Sequence, residues 1–538
     1  MSAALCAACC WPRCYTRWHC YLRMRPLLPE LSGAGIRVIE SPAGEEPIPL
    51  RRETVTAFVG PAPRGPANIP VVIGSVAEFR RRFGSPAERS RLEWILGQFF
   101  DNGGRQAVVV RVPRSGRPSR ITLPGPGGTL DLDAVNPGPL EYLRATVDYD
   151  GIPPTDLWRF NLTVQRIRSP ANPLVEEQET WRAVTIAPDD DAFIGEALAG
   201  SALVRLQGDA PRARPFLTSG ATGFGPIGYV PGRGDWRSAA PPSDYDLIGS
   251  AEDATGIHAL EQVANVDLVC LLSGAPKADV GPVGIFVAER YCARRNAMLL
   301  LDPLASWSRV EDVTRSQSAS VLASPNIITY FPRLTEIATD GRRVRSLSAI
   351  GAIAGMLATG SPAETVLLRS RARVAVEPDD EQAALLARRG VNVLRGAAPG
   401  FISFSGNVTL ARSHGSRREW RQLSVRRQAV LTAGTIARST RWAAVHKGDA
   451  DTWRAVATQV ARYLTESAAA GFLAVDAARP PFYVKCDQDT NSQGSGLSFV
   501  VGLALTRPGD FVAFRFEHDA ADCRISEIAW QPGQSLSA

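Results

Sequence analysis

The spacing of apolar residues changes several times along this chain, and each change marks a different kind of structure. Val55 to Gly60 and Gln106 to Val112 are short continuous apolar runs, as expected of strands covered on both faces. Between them Leu92, Ile95, Leu96 and Phe99 share one helical face, closed by Asn102-Gly103-Gly104. Ser75 with Glu78, and Ser85 with Glu88, read as capping boxes, with Pro86 at the first helical position of the second. Strands alternating with helices predict an α/β core whose helices cover a sheet. From Pro113 to about Ser219 helical spacing fades and short strands follow one another near 143–147, 160–166, 181–186 and 202–206. That pattern predicts an inserted all-β domain of sandwich type. A Gly/Pro-rich loop, Thr218 to Ser243, leads back to α/β spacing. Val266 to Leu272, a helix at Pro282 to Arg295 and Ala297 to Asp302 then make a right-handed βαβ unit. Further elements are expected at Ile327 to Phe331, Ser346 to Thr359, Asp379 to Arg389 and Val391 to Leu394.

Two long helices follow, Val425 to Ser439 and Ala450 to Ala470, the second lined by Trp453, Val456, Ala457, Val460 and Leu464. Phe482 to Phe516 then reads as three strands. Tyr483 and Val484 lie in the first, Leu497 to Leu505 form the second, and Phe511 to Phe516 form the third after an Arg507-Pro508-Gly509-Asp510 reversal. An apolar strand near a chain end must pair its backbone groups, within its own chain or with the next copy. Ile525, Ile528 and Trp530 allow one more strand. At the front, Gly35 to Glu40 is a short strand, and Ser41 to Thr54 is a Pro- and charge-rich connector. Near polyproline geometry those fourteen residues reach roughly 40 Å.

At 538 residues the chain is too long for one core and suits about three domains. No apolar run approaches the ~20 residues of a membrane-spanning helix, so direct membrane insertion is not expected. The net charge of +6, from 60 basic and 54 acidic residues, is a mixed surface rather than a nucleic-acid stripe. Five of nine cysteines (Cys6, Cys9, Cys10, Cys14 and Cys20) crowd the first 20 residues beside His19. No second spaced pair closes a zinc finger, and the segment lacks the parts of a signal peptide. Cys270, Cys292, Cys486 and Cys523 are scattered, as in a reduced cytoplasmic protein.

The order of Cys486-Asp487, Thr490-Asn491, a glycine-flanked strand, an Arg-Pro turn and a closing Phe-Val-x-Phe-Arg strand resembles the C-terminal block of contractile tail sheath proteins. The resemblance continues through Leu423 to Leu473, through GAGIRVIE, TVTAFVGPAPRGP, SVAEFRRRFG and FFDNGGRQAVVVRV, and through TGIHALEQVANVDLVCLL. It implies a structural subunit in phage tails or related bacterial injection machines, polymerised around an inner tube in stacked six-fold rings and contracting to drive that tube through an envelope. The implied partners are further copies of the chain, the tube protein, and baseplate and terminator proteins. Nucleic acid and cofactors are not implied, and assembly would take place in the cytoplasm. Exchanged strands would join the subunits: an N-terminal arm (Ile36, Arg37, Val38, Ile39, Glu40), a C-terminal strand (Phe511, Val512, Ala513, Phe514, Arg515, Phe516) and an acceptor strand (Leu497, Phe499, Val501, Leu503, Leu505). The expected divisions are a Cys-rich head (1–32), arm and linker (33–54), core (55–112), β insertion (113–219), core (220–422), C-terminal core (423–516) and tail (517–538). Family members begin close to GAGIRVIE, so Met24 is read as the start. The sequence departs from the family pattern at Phe404 to Thr409 and at Val445 to Asp449.

Two other classes compete with this reading: a hydrolase using the α/β core, and a non-contractile structural relative of the sheath. His258, His414, His446 and His518 lie in no serine-hydrolase neighbourhood, and no Gly-x-Ser-x-Gly elbow occurs. Asp302 ends a strand where α/β enzymes keep catalytic carboxylates, yet a turn cap before Pro303 explains it as well. Asp189, Asp190 and Asp191 do not have EF-hand spacing and read as a solvated turn. Catalysis is therefore not expected.

Overall fold

The computed structural model describes residues 46–50, 54–85, 90–114, 118–218, 228–234, 240–275, 278–318, 323–337, 344–359, 365–411, 417–445, 449–491, 496–519 and 523–529. The expected arm strand Ile36 to Glu40 and the Cys-rich head lie outside these residues.

The folded body opens where Asp267 accepts the Val55 N–H at 2.8 Å. Strand β1 (Thr56–Gly60) follows, then β2 (Pro70–Ile73), helices α1 (Val76–Phe83) and α2 (Arg91–Asp101), and β3 (Ala107–Arg111). Ser75 caps α1 by accepting from Glu78 N–H at 3.1 Å. Pro86 and Glu88 of the second expected capping box lie outside the described residues; α2 is capped by Ser90, which accepts from Glu93 N–H at 3.1 Å. Ser85 instead donates to the Glu93 carboxylate at 2.9 Å.

Next come β4 (Arg120–Gly125), β5 (Gly128–Ala134), β6 (Tyr142–Asp148), β7 (Arg159–Ile167), β8 (Val175–Thr185), a one-turn α3 (Ile194–Ala197), β9 (Val204–Leu206) and β10 (Val230–Pro231). They form two antiparallel sheets, β10-β6-β7-β8 and β4-β5-β9. Alternate residues of both, among them Ile121, Leu132, Val147, Leu162 and Val204, enclose a separate apolar cluster. Buried charge ties this unit to the α/β core. Arg111, at the end of β3, donates to the carbonyls of Ala62 at 2.9 Å, Gly65 at 2.6 Å and Pro137. Arg64 pairs with Glu176 on β8 at 2.6 Å. Burial pushes the Glu141 carboxyl above its ordinary range, although Arg166, Arg64 and Arg111 pull it back.

The chain returns through α4 (Asp244–Ile248), a 3-10 turn (Gly256–Gln262), β11 (Leu268–Leu271), α5 (Pro282–Arg294), β12 (Met298–Leu300), α6 (Val310–Ser318) and β13 (Ile327–Ile328). The main sheet has the order β13-β12-β11-β1-β3-β2, parallel except for β2. Its inner strands β1, β3, β11 and β12 are buried along their length because both faces are covered. Phe58, Val109, Cys270 and Leu300 point into one cluster with α1 and α2. Val59, Val110, Leu271 and Leu299 point into another with α5 and the 3-10 turn. Phe58 meets Phe99 of α2 edge-on at 5.3 Å.

Next come β14 (Tyr330–Phe331), β15 (Leu334–Ile337), β16 (Val344–Leu347), α7 (Ile350–Ala358), β17 (Thr365–Arg369), β18 (Arg373–Val374), α8 (Asp380–Arg388), β19 (Asn392–Gly396) and β20 (Phe401–Ser405). The expected helix from Ser346 begins at Ile350 instead, because Val344–Leu347 pairs with β15. Helix α7 lies against α2, and Gly351 permits the close approach: a Cβ there would sit 1.9 Å from the Ile95 carbonyl oxygen.

Helix α9 (Leu423–Ser439) joins these layers to the C-terminal unit. Its Leu423 and Val430 belong to the α/β cluster, and its Ala429, Ala433 and Ile436 to the C-terminal cluster. Arg426 reaches the Asn326 side-chain oxygen at 2.7 Å and stacks on Trp420 at 4.8 Å. Arg427, its pKa pushed down to about 10 by burial, donates to the Leu357 carbonyl. The divergent stretch Phe404 to Thr409 serves this helix. Asn407 accepts the Ser424 N–H at 2.7 Å and donates to the Ser424 hydroxyl at 2.8 Å, capping its start.

Arg111→Met should destabilise the protein by about 2–4 kcal/mol, since three carbonyls lose a shared charged donor. Arg111→Lys should recover only part of the loss, having no fork to reach all three. Urea unfolding of both variants checks this.

Candidate functional site

Helix α10 (Ala450–Ala469) is capped by Asp449, which accepts the Thr452 N–H at 2.9 Å. It lays Val456, Val460 and Leu464 on the C-terminal cluster, with Trp453 at the margin, as its spacing predicts. Four antiparallel strands face it: β21 (Phe482–Lys485), β22 (Leu497–Ala504), β23 (Phe511–His518) and β24 (Cys523–Ile528). Leu497, Phe499, Val501, Leu503, Val512, Phe514 and Phe516 turn toward the helices. Phe499 and Phe516 stack with centroids 4.7 Å apart. On the other face Tyr483 lies across Gly502, where a Cβ would be 1.9 Å from the ring, and meets Phe511 edge-on at 5.1 Å.

The Cys-Asp and Thr-Asn pairs fold into a self-capping loop. Asp487 N–H donates to the Thr490 hydroxyl at 3.0 Å, and Thr490 N–H donates to the Asp487 carboxylate at 3.1 Å. Asn491 donates to the Asp487 carbonyl at 2.8 Å and accepts from Ser498 N–H at 2.7 Å, which ties the loop to the start of β22.

Within one chain the strands pair in the order β21-β22-β23-β24. Phe511 to Phe516 has neighbours from its own chain on both sides, β22 and β24. Its backbone ladder is therefore occupied, and it is not the last strand of the sheet. The expected acceptor residues Leu497, Phe499, Val501 and Leu503 lie in β22, equally flanked by β21 and β23, while Leu505 falls just beyond the strand. The extra strand suggested by Ile525 and Ile528 is β24, and Trp530 lies outside the described residues. Glu527 fastens β24 inward, accepting from Trp420 Nε1 at 3.0 Å and pairing with Arg417 at 3.0 Å. The outermost described strands are thus β21 and β24.

Of the expected linker, residues 46–50 pack on the C-terminal cluster. Ile48 is 3% exposed and belongs to the C-terminal cluster, with Leu50 packed beside it. Gln459 of α10 donates to the Glu46 carbonyl at 2.9 Å and accepts from Trp442 Nε1 at 3.1 Å. A glutamine among Val456, Val460 and Tyr463 was the available signal for this contact, since a buried amide must find partners.

Among solved structures the chain is similar to a sheath tail protein of Listeria innocua. The likeness covers 89% of this chain and 97% of that one at 13% identity, with a TM-score of 0.59. The fold is that of a tail sheath protein. A sheath tail protein of Desulfitobacterium hafniense is 11% identical over 92% of this chain and 99% of that one, at a TM-score of 0.49. The helical sheath of the anti-feeding prophage, in its contracted state, is 16% identical over 89% of this chain and 98% of that one, also at 0.49. No family model matches the sequence, and no curated protein matches it.

In this sheath fold the carboxyl ends of the parallel strands, where α/β enzymes bind ligands, are filled by a closed polar network. Asp302 accepts from Arg91 at 2.6 Å, from Ser348 at 2.6 Å and from the Tyr330 hydroxyl. Arg91 also donates to Ser273, at the end of β11, at 2.5 Å. Burial pushes the Asp302 carboxyl up, but Arg91, Arg333, Ser348 and Tyr330 outweigh it and hold it below the usual carboxylate range. A carboxylate saturated in this way is a poor general base. His258 sits on the 3-10 turn against Tyr291, its pKa lowered by burial. His518 is buried, bonded to Thr440 at 2.9 Å. His414 and His446 lie outside the described residues. Asp190 caps its own turn at Ala192 N–H, 2.9 Å, and pairs with Arg159 at 2.8 Å. Among the described residues no His, Cys, Asp and Glu group is placed to hold a metal, and no helix is long and apolar enough to cross a membrane.

Asp302→Asn should cost about 3–5 kcal/mol by stranding the partly buried Arg91. The sign with pH follows from the depressed folded value. The carboxylate's contribution is present above the ordinary aspartate value of about 3.9 and is lost as pH falls through the folded one. Thermal melts from neutral to acid pH should therefore show the parent converging on the variant only at the acid end.

Proposed function

We propose that the chain is a structural subunit of a contractile tail sheath, polymerising around an inner tube and shortening to drive it through a target envelope. The observation that carries this reading is the match to a sheath tail protein over nearly the whole of both chains. The filled strand ends around Asp302 agree with a structural rather than a catalytic use of the α/β core. Further copies of the chain, the tube protein and baseplate and terminator proteins are the proposed partners, and assembly is proposed to take place in the cytoplasm. Residues 113–219 are read as a domain added to the core.

The joints are proposed to be exchanged strands. Ile36 to Glu40 would add to the C-terminal sheet of another copy, beside its outer strands β21 or β24. Strand addition suits such a joint because main-chain hydrogen bonds persist while rigid bodies reorient. A patch that binds a different patch on the next copy grows a ring or a filament, and so needs no second kind of subunit.

Val38→Pro removes a ladder donor and fixes φ within the arm strand. Unchanged thermal unfolding of the soluble subunit, together with loss of rings or tubes by electron microscopy, is the expected result. A lowered melting temperature would place the strand in its own subunit's core, and normal tubes would rule out exchange.

A further inference from the structure

The carboxylates of Asp302 and Glu141 are supplied very differently. Both oxygens of Asp302 accept hydrogen bonds. Glu141 is 4% exposed, yet its carboxylate meets Arg166 through one contact of 3.4 Å, and its second oxygen has no partner among the described residues. It lies where the two-sheet unit touches the α/β core. Leu140 N–H donates to the Pro63 carbonyl at 3.4 Å, Glu141 N–H donates to the Gly138 carbonyl at 3.2 Å, and Arg111 of β3 holds the Pro137 carbonyl. A Cβ at Gly138 would sit 2.4 Å from the Pro63 carbonyl oxygen, so the turn and the core loop are in close contact.

The charged groups around Glu141 come from both sides of this joint and are mainly engaged elsewhere. Arg64, after β1 in the core, gives its two terminal nitrogens to Glu176 at 2.6 Å and to the Arg81 carbonyl at 2.8 Å. Each nitrogen of Arg111 donates to a carbonyl. Arg166 of β7 is shared with Glu177 of β8, and Arg168 joins Arg64 on Glu176 at 3.3 Å. The Nε groups of Arg64 and Arg166 are unpartnered among the described residues, so neither reaches the second Glu141 oxygen. A buried carboxylate so poorly hydrogen-bonded holds its proton more tightly than an exposed one. Here burial outweighs the pull of Arg166, Arg64 and Arg111 and raises the Glu141 pKa.

We propose that Glu141 is a proton-operated latch between the two-sheet unit and the α/β core, closing when its carboxyl is protonated. The neutral acid has no charge to keep desolvated and gains an O–H donor, so the 137–141 turn packs against the core at less cost. Arg166 is then left to Glu177. The folded pKa lies above the ordinary glutamate value of about 4.3. The latch's contribution is therefore fully present below that value and is lost as pH rises through the folded one. Its sign is opposite to that of Asp302, whose contribution is lost at the acid end.

Glu141→Gln keeps the shape of the side chain and fixes it neutral. In thermal melts the variant should lie a few degrees above the parent at neutral pH, with the gap closing as pH falls. Both chains share the Asp302 response, so the gap isolates Glu141. A variant no more stable than the parent at neutral pH, or a gap that does not change with pH, overturns the latch. Hydrogen exchange, corrected for the intrinsic rate at each pH, reads the joint itself. Protection of the Leu140 and Glu141 amides should rise on acidification in the parent and be high and level in the variant; a level parent profile overturns the latch. The parent profile decides the matter even where Glu141→Gln folds poorly. Glu177→Gln releases Arg166 to Glu141 alone, so it should move the rise in protection to more acid pH. A rise left in place overturns the shared-arginine arrangement on which the latch rests.

Discussion

Helix α9 is buried against two apolar clusters at once, and the relation between the α/β layers and the C-terminal sheet depends on it. Its apolar residues divide between the clusters by face, Leu423 and Val430 toward one and Ala429, Ala433 and Ile436 toward the other. Two successive arginines, Arg426 and Arg427, then carry charge into the seam, where a side-chain oxygen and a helix-end carbonyl receive them. Placing guanidinium groups there without partners would be costly, so the seam has few alternative registers. Asn407 and Trp420 hold the start of the helix, and Glu527 of β24 reaches back to Trp420. The end of the chain is thereby connected to the same element.

The two antiparallel sheets built from β4 to β10 are joined to the α/β core on the same principle. Arg111 gathers three carbonyls at the foot of β3, and Arg64 reaches Glu176 on the far strand of the larger sandwich sheet. Buried, directional contacts of this kind fix orientation more than they add stability. The network around Asp302 has the same character, placing saturated polar contacts where an enzyme would keep unsaturated ones.

Much of this was legible in the residues. Continuous apolar runs at Val55 to Gly60 and Gln106 to Val112 announced a sheet covered on both faces, because a parallel strand has no wet side. The α10 stripe, the Asn102-Gly103-Gly104 stop and the Arg507 to Asp510 reversal were local signals with local causes, and they stand in the structure. Ser90 caps α2 directly before the stripe of Leu92, Ile95, Leu96 and Phe99 that enters the core.

Non-local pairing was the part that periodicity could not supply. The alternation in Phe511 to Phe516 shows that the strand has two faces, but says nothing about which strands lie beside it; β24 took that place through contacts from Glu527 to residues more than a hundred positions away. Ile48 looked like one apolar residue in a charged linker, and Gln459 like one polar residue on an apolar stripe. Only the folded chain, which brings residues 413 positions apart within 2.9 Å, turned them into a contact. Sequence by itself determined the elements and their buried faces, because period and capping act within a few residues. Tertiary structure decided which edges are closed and where the linker is held, because those choices depend on buried partners that the chain order does not place side by side.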